Sequence, residues 1–446
     1  MGISQLTRLA GAKLATNAGI VALGSGGRLV LQIALFIAVA RMLGATDYGA
    51  FVSVTALVAI VSTFSGLSCE IVVVKAVSRD PSRLREYFGS GLLLLALTTP
   101  PLVALSILAV AVISGAHISW VLVVLIALGD LFFLRVNMLC AACYQALEKV
   151  NKSAILNIGF SASRLFAAFL AAICIPHLDI THWAYFYSGG AVLAAAISCA
   201  WVIHDLGWPK LFLATGDVNF GFHSSMQSTL FFMLRDIDKP LLSKLASLHT
   251  AGVYAAAFRV ADASIIPIRA LMYAAYARFF RHGKHGVRGS SDFALRLLPF
   301  GLAYGVVAAC GIELFSLLLP WILGKQYADS AHILRVFAVL PVFHAAYNIG
   351  ADSLTACGRQ STRSTVQSCA TALMVFLCLV LIPRYGAMGA ATANVCSHAT
   401  MAVGMWAAIL FHRRREGILR VPGLAVTAGG SQDSHNDITA PSRSNP

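Results

Sequence analysis

The chain has 446 residues, of which 58% are hydrophobic and only 12% charged, with a mean hydropathy of +0.77 and a formal net charge of +14. A soluble domain carries roughly 25% charged residues, and a chain this apolar could not cover its surface with polar groups. The composition excludes a water-soluble enzyme, a disordered chain and a nucleic-acid-binding domain, and leaves a polytopic membrane protein.

Residues 1–18 carry Arg8 and Lys13 and lead into an apolar run. The run is too long for a signal-peptide core and has no clean A-x-A cleavage site, so it reads as a retained first span. Windows of about 20 mostly apolar residues give about twelve candidate helices. They lie near 19–40, 49–74, 89–113, 119–144, 154–175, 183–203, 222–245, 251–277, 293–319, 329–350, 364–382 and 386–411. The seventh and eighth are interrupted by Arg235, Asp236, Asp238, Lys239, Arg259, Asp262 and Arg269. The stretch between the eighth and ninth, near 278–292, reads as a basic loop. From Gly423 to Pro446 the chain is rich in Ser, Asn, Gly and Asp, as in a disordered tail.

The expected class is therefore an all-α polytopic membrane protein. Its expected parts are a cytoplasmic N-terminal segment (1–18), an N-terminal six-helix bundle (19–205), a linker (206–221), a C-terminal six-helix bundle (222–412), and a basic then disordered cytoplasmic tail (413–446). Ten cysteines lie mostly in apolar runs. Cys140 and Cys143 form a C-x-x-C with no second pair or histidine at zinc spacing, so they read as packing residues. Gly24-Ser-Gly-Gly27 lacks the lysine of a phosphate loop. No metal, no cofactor, no ATP hydrolysis and no nucleic-acid partner is expected.

Lys and Arg in alternate loops set the orientation of a membrane protein. Nineteen fall on one side, including Arg8, Lys75, Arg85, Lys149, Lys210, Arg281, Arg359 and Arg413. Only four, Arg41, Lys244, Lys325 and Arg384, fall on the other. This places both termini in the cytoplasm. Nine basic residues remain at membrane depth or its margin: Arg28, Arg135, Arg164, Arg235, Lys239, Arg259, Arg269, Arg296 and Arg335. Six acidic residues lie there too: Asp130, Asp236, Asp238, Asp262, Glu313 and Asp352.

An intramembrane charge costs about 2.5–3.5 kcal/mol on insertion scales, so fifteen facing lipid would cost about 40 kcal/mol. Most must face one another or a water-filled cavity. Arg235 and Lys239 are four residues apart, and Arg259, Asp262 and Arg269 share one helical stripe. Arg296 and Arg335, near span ends, read as snorkelling residues. Pairing alone needs no basic surplus, whereas a cavity for an anion does, because Arg holds phosphate through several directed hydrogen bonds. Arg28 and Arg164 have no acidic neighbour within a helical turn and are the leading phosphate contacts. Arg259, Arg269, Arg235 and Lys239 complete the cationic set. Asp130, Asp238 and Asp262 are the candidates for ion coupling.

Two stretches repeat. Leu43 to Phe51 (LGATDYGAF) and Ala246 to Tyr254 (ASLHTAGVY) align at an offset of 203, pairing Gly49 with Gly252. The segments starting at Gln145 (QALEKVNK) and Thr355 (TACGRQST) align at an offset of 210. Both point to two six-helix halves in the same orientation, a parallel repeat with a site between the halves at mid-depth.

Arg41-Met-Leu-Gly-Ala-Thr-Asp-Tyr-Gly-Ala-Phe51 resembles the A-R-x-L-G-x-x-x-Y-G-x-F motif of bacterial polysaccharide transporters. These are the O-antigen and exopolysaccharide repeat-unit flippases of the multidrug/oligosaccharidyl-lipid/polysaccharide exporter superfamily. Asp238-Lys-Pro-Leu-Leu-Ser-Lys-Leu245 with Gly252-Val-Tyr254 is similar to their D-R-x-x-L-x-x-L…G-x-Y element. Leu323 to Leu334 and Ile382 to Ala391 resemble two further elements, in order along the chain. Pro240 departs from the usual aliphatic residue. The resemblance implies twelve helices in two bundles, alternating access, and an oligosaccharide on an undecaprenyl diphosphate carrier in the inner membrane. It also implies contact with membrane lipid and work beside a polysaccharide polymerase and export proteins. Gly44, Tyr48, Gly49, Gly252 and Tyr254 look architectural in this light. The rival readings are a multidrug exporter of the same superfamily, a flippase for the peptidoglycan lipid precursor, and a membrane glycosyltransferase or polymerase.

Overall fold

The computed structural model describes the backbone of residues 3–419 apart from 115–117, 177, 211, 213–216 and 285. Every regular element among the described residues is helical. Nine helices there are long and apolar enough to cross a membrane. Two of these are each a pair of spans joined by a tight glycine kink, at Gly44 (φ 73°) and Gly386 (φ 55°). A further helical stretch, more polar, spans residues 218–245.

The described residues thus make twelve helical passages. They are α1 (3–43), α2 (45–77), α3 (Leu84–Ile113), α4 (Trp120–Ala146), α5 (Val150–Cys174), α6 (Ile180–Leu206), α7 (218–245), α8 (248–283), α9 (Gly286–Leu323), α10 (Ser330–Ala356), α11 (360–385) and α12 (387–419). The first six form one bundle and the last six the other. Each expected span coincides with one of these helices. The basic loop expected near 278–292 does not form, because α8 continues to Gly283 and α9 starts at Gly286. Residues 413–419 of the expected tail continue α12 as helix. The rest of that tail, 420–446, lies outside the described residues.

The two repeat signals reappear as geometry. At the end of α4, Lys149 N–H donates to the Tyr144 carbonyl (2.9 Å) and Glu148 N–H to that of Gln145 (3.0 Å). At the end of α10, Arg359 N–H donates to the Leu354 carbonyl (2.9 Å) and Gly358 N–H to that of Thr355 (3.1 Å). The two Schellman caps are offset by 210 residues throughout. Each turns on a left-handed residue, Glu148 (φ 57°) or Gly358 (φ 77°). At the other end of the molecule α2 and α8 cross face to face. A Cβ on Gly49 would strike the Leu248 carbonyl, and one on Gly252 would strike the Ala45 carbonyl. The contact is reciprocal at the offset of 203, as two halves related by an axis along the membrane normal require.

Around that glycine crossing the halves are sealed. Ala45 N–H donates to Gln326 Oε1 (3.2 Å), Tyr327 Oη to the Ala40 carbonyl (2.9 Å), and Arg41 to the Trp321 carbonyl (3.3 Å). On the opposite end the chain between the halves is pinned to the first bundle. Lys75 and Tyr87 both bond Asp217 (3.1 and 3.0 Å), and the backbone of Lys210 meets that of Arg85 (2.9 Å).

Three helices break partway along their length. α7 is interrupted at Ile237, just before Pro240, and α8 at Ile265, just before Pro267. A proline lacks the N–H that the preceding turn needs. α2 breaks over Ser62–Ser68, where Gly66, Leu67 and Ser68 turn left-handed (φ 62°, 48° and 52°). Arg135 answers the break. Its guanidinium donates to the Ser62 carbonyl and pairs with Glu70 (2.8 Å) beyond the gap. Freed backbone groups at membrane depth are tolerated where protein satisfies them.

Candidate functional site

A cavity of about 210 Å³ lies between the halves. Its N-terminal wall is Tyr48, Val52, Thr55, Asp130 and Tyr187, and its C-terminal wall is Phe232, Arg235, Asp236, Lys239, Phe258, Arg259 and Asp262. The broken helices α7 and α8 carry most of its charge.

These charges are arranged as pairs with exceptions. Asp262 accepts from Arg235 (2.7 Å) and Arg269 (2.8 Å), so one carboxylate answers two guanidiniums. Lys239 donates to Asp236 (2.9 Å), Asp238 (3.1 Å) and the Arg235 carbonyl (2.8 Å), and lies over the Phe258 ring. Asp238 is fully buried, and accepts also from Tyr254 Oη and Asn394 Nδ2 (3.1 Å). On the other wall, Asp130 accepts from Arg164 and twice from Tyr187 Oη (3.0 and 3.1 Å). The Arg164 guanidinium also covers the Tyr187 ring at 3.9 Å.

Arg259 stands apart. It is exposed, lies beside the Tyr48 hydroxyl, and forms no ion pair among the described residues. Arg28 is likewise exposed and unpaired among the described residues, and faces Arg164 within electrostatic reach. Two paired guanidiniums keep spare donors, since Nε of Arg164 and of Arg235 is buried with no partner.

Of the six cations expected from sequence, Arg235, Lys239 and Arg259 line this cavity, while Arg164 and Arg269 reach it through Asp130 and Asp262. Arg28 is not on its wall. Arg164 has no acid within its own helical turn, and its partner Asp130 comes instead from α4, 34 positions away. All three aspartates expected to couple an ion are engaged: Asp130, Asp238 and Asp262. Outside the cavity, Arg335 meets Glu313 (3.7 Å) and Arg363 meets Asp352 (3.8 Å), as paired charges. Sequence reasoning missed Tyr187, Asn394 and Glu70 as partners. It also missed His344 and His398, which stack at 4.6 Å between α10 and α12. Their only signal was two histidines within apolar stretches.

The family model described as "Polysaccharide biosynthesis protein" matches residues 14–279. No curated protein matches the sequence. Among solved structures, the chain resembles an inward-facing multidrug resistance MATE family transporter of the MOP superfamily (TM-score 0.71, 15% identity, 88% of this chain and 95% of that one). It also resembles the lipid II flippase MurJ in an inward closed conformation (TM-score 0.68, 11% identity, 87% of each chain). Against an outward-facing MATE family transporter the TM-score is 0.59, with 15% identity over 92% of this chain and 95% of that one. The solved structures share the twelve-helix fold, and the family match covers more than half of the sequence: the chain belongs to the polysaccharide biosynthesis protein family.

Proposed function

We propose that the protein flips undecaprenyl-diphosphate-linked oligosaccharide repeat units across the cytoplasmic (inner) membrane for polysaccharide assembly. Both termini are then cytoplasmic, as the basic loops require. The glycine-crossed end faces outward, and the cavity is reached from the cytoplasm. The working parts are the bundles 19–205 and 222–412, joined by 206–221. The solute is moved unchanged, and a polysaccharide polymerase and export proteins take it onward.

The observation that carries this reading is the cavity between the halves with Arg259 in it, in no ion pair among the described residues. The lining carries three cations, Arg235, Lys239 and Arg259, and three acids, Asp130, Asp236 and Asp262, so the positive charge offered to a diphosphate is that of Arg259, which no ion pair among the described residues engages. Arg259 holds the anion on the cavity wall, and Arg28, off that wall and within electrostatic reach of Arg164, is the second contact on the way in. The polyprenyl tail stays in lipid, which it matches. Rocking of the halves about the cavity then opens the outer end. Asp130, Asp238 and Asp262 are the acids that a coupling ion would use.

Neutralising Arg28 or Arg259 to Gln should abolish polysaccharide export while membrane expression is retained. Full export by both variants overturns the assignment. The multidrug reading predicts instead raised resistance to cationic drugs on overexpression.

A further inference from the structure

The halves meet at the glycine-crossed end through more than the glycines. Arg41 lies in the last turn of α1, and its guanidinium donates to the Trp321 carbonyl on α9 (3.3 Å). Lys244 lies in the last turn of α7, and its Nζ donates to the Val112 carbonyl on α3 (2.6 Å). Each bond runs from one half to the other. Arg41 and Lys244 stand at the same offset of 203 as Gly49 and Gly252. Val112 and Trp321 are 209 positions apart, and each lies in the last turn of its helix, Leu84–Ile113 or Gly286–Leu323. The axis that exchanges α1 with α7 also exchanges α3 with α9, and so carries one bond onto the other.

The acceptors decide how firm these bonds are. The last four carbonyls of a helix have no N–H partner within it, and they carry the negative end of the helix dipole. A cation placed there satisfies a carbonyl and gains from the dipole. Neither Arg41 nor Lys244 has an acidic partner among the described residues, and both side chains are exposed. An exposed cation on a carbonyl is held less firmly than one whose removal would leave a buried acid bare. Such a bond favours the joined ends and still lets them part.

Both bonds last only while α1 lies against α9 and α7 against α3. A contact made in one state and absent from another biases the equilibrium between them. We propose that Arg41 and Lys244 are a matched pair of gate residues that hold the outer end closed, each latching its own half onto the C-terminal carbonyls of the other. They are positioning residues, acting on the halves. The assignment rests on the transport reading above, in which this end faces outward and opens in turn. It adds that closure there is set by two weak, separable bonds beside the glycine fit.

The test measures the distance between spin labels on His182→Cys and Tyr385→Cys, by pulsed electron resonance on the full-length protein in lipid nanodiscs. Both positions are exposed, one on each half at this end, and the native exposed cysteines are replaced by serine. The parent should give one main distance. Arg41→Met and Lys244→Met should each raise the ratio of longer to shorter distance by roughly threefold, the worth of a cation at an exposed helix C-terminus. The double variant should raise it by roughly tenfold, since separate contacts add in free energy. Lys244→Arg, which keeps a cation, should match the parent. A merely structural role would lower the thermal midpoint and leave the distances alone. Parent distances in the double Met variant overturn the proposal, as does a shift as large in Lys244→Arg as in Lys244→Met. Export by a chain whose Met variants keep the parent distances sinks the latch alone. The expected shifts in a chain that exports nothing sink the transport reading instead.

Discussion

Arg135 and Arg259 both lie within helices long and apolar enough to cross a membrane and are opposite in what they touch. Arg135 is 8% exposed, paired with Glu70 and bonded to the broken backbone of α2. Removing one partner of a buried pair leaves an uncompensated charge, at about 3–5 kcal/mol. Arg135→Ala should therefore lower the thermal midpoint of the purified protein sharply, and Glu70→Ala should do the same. Arg259 has no such partner among the described residues and faces open space. Arg259→Gln should change stability by only about 0.5 kcal/mol while export is lost. Equal destabilisation by the two arginine variants would show that exposure does not separate framework cations from working ones. Sequence could name these residues as intramembrane charges, because charge and apolar context are local facts. It could not say which were paired. Glu70 and Arg135 are 65 positions apart, Asp130 and Arg164 are 34 apart, and Asp238 reaches Asn394 across 156. Only the packing of helices supplies those partners.

Helix ends and helix breaks differ in how far sequence announces them. Pro240 and Pro267 mark the interruptions of α7 and α8, because a missing N–H is written into the chain. The break in α2 has no proline. It falls on STFSGLS, and only Gly66 hints at it. Leu67 and Ser68 are forced left-handed by what surrounds them: Ser65 Oγ on the Leu131 carbonyl, Ser68 Oγ on Ser225 (3.0 Å), and Arg135 on Ser62. The Schellman caps were visible only as a faint resemblance of two loops, since one half uses Gly358 where the other uses Glu148. Conformation is shared there more faithfully than residue type. Gly358→Ala should then destabilise the C-terminal bundle by about 1–2 kcal/mol, the cost of a left-handed non-glycine residue. Chemical denaturation of the purified protein measures it. An unchanged midpoint would mean that the cap does not hold that turn.

At the scale of the whole molecule, the two-fold relation between the halves becomes a statement about transport. Gly49 and Gly252 lie one on each side of the sealed end, and each meets the backbone carbonyl of the partner half. Neither contact is polar recognition; both are close approach, which only glycine allows. A methyl on either residue strikes a carbonyl oxygen that cannot swing away as a flexible side chain could. The relief available is separation of the halves at that end. Gly49→Ala and Gly252→Ala should thus do the same thing by symmetry: weaken the state seen here and favour the one open at the other end. A reporter cysteine at Thr55, on the cavity wall, reads this once the native exposed cysteines are replaced by serine. In the parent it should react with an impermeant thiol reagent only from the cytoplasmic side. In either glycine variant it should become reactive from outside. A response to one glycine and not the other would break the symmetry argument. The double variant should add little to either single one, because a seal already opened by one methyl has no further contact for the second to lose.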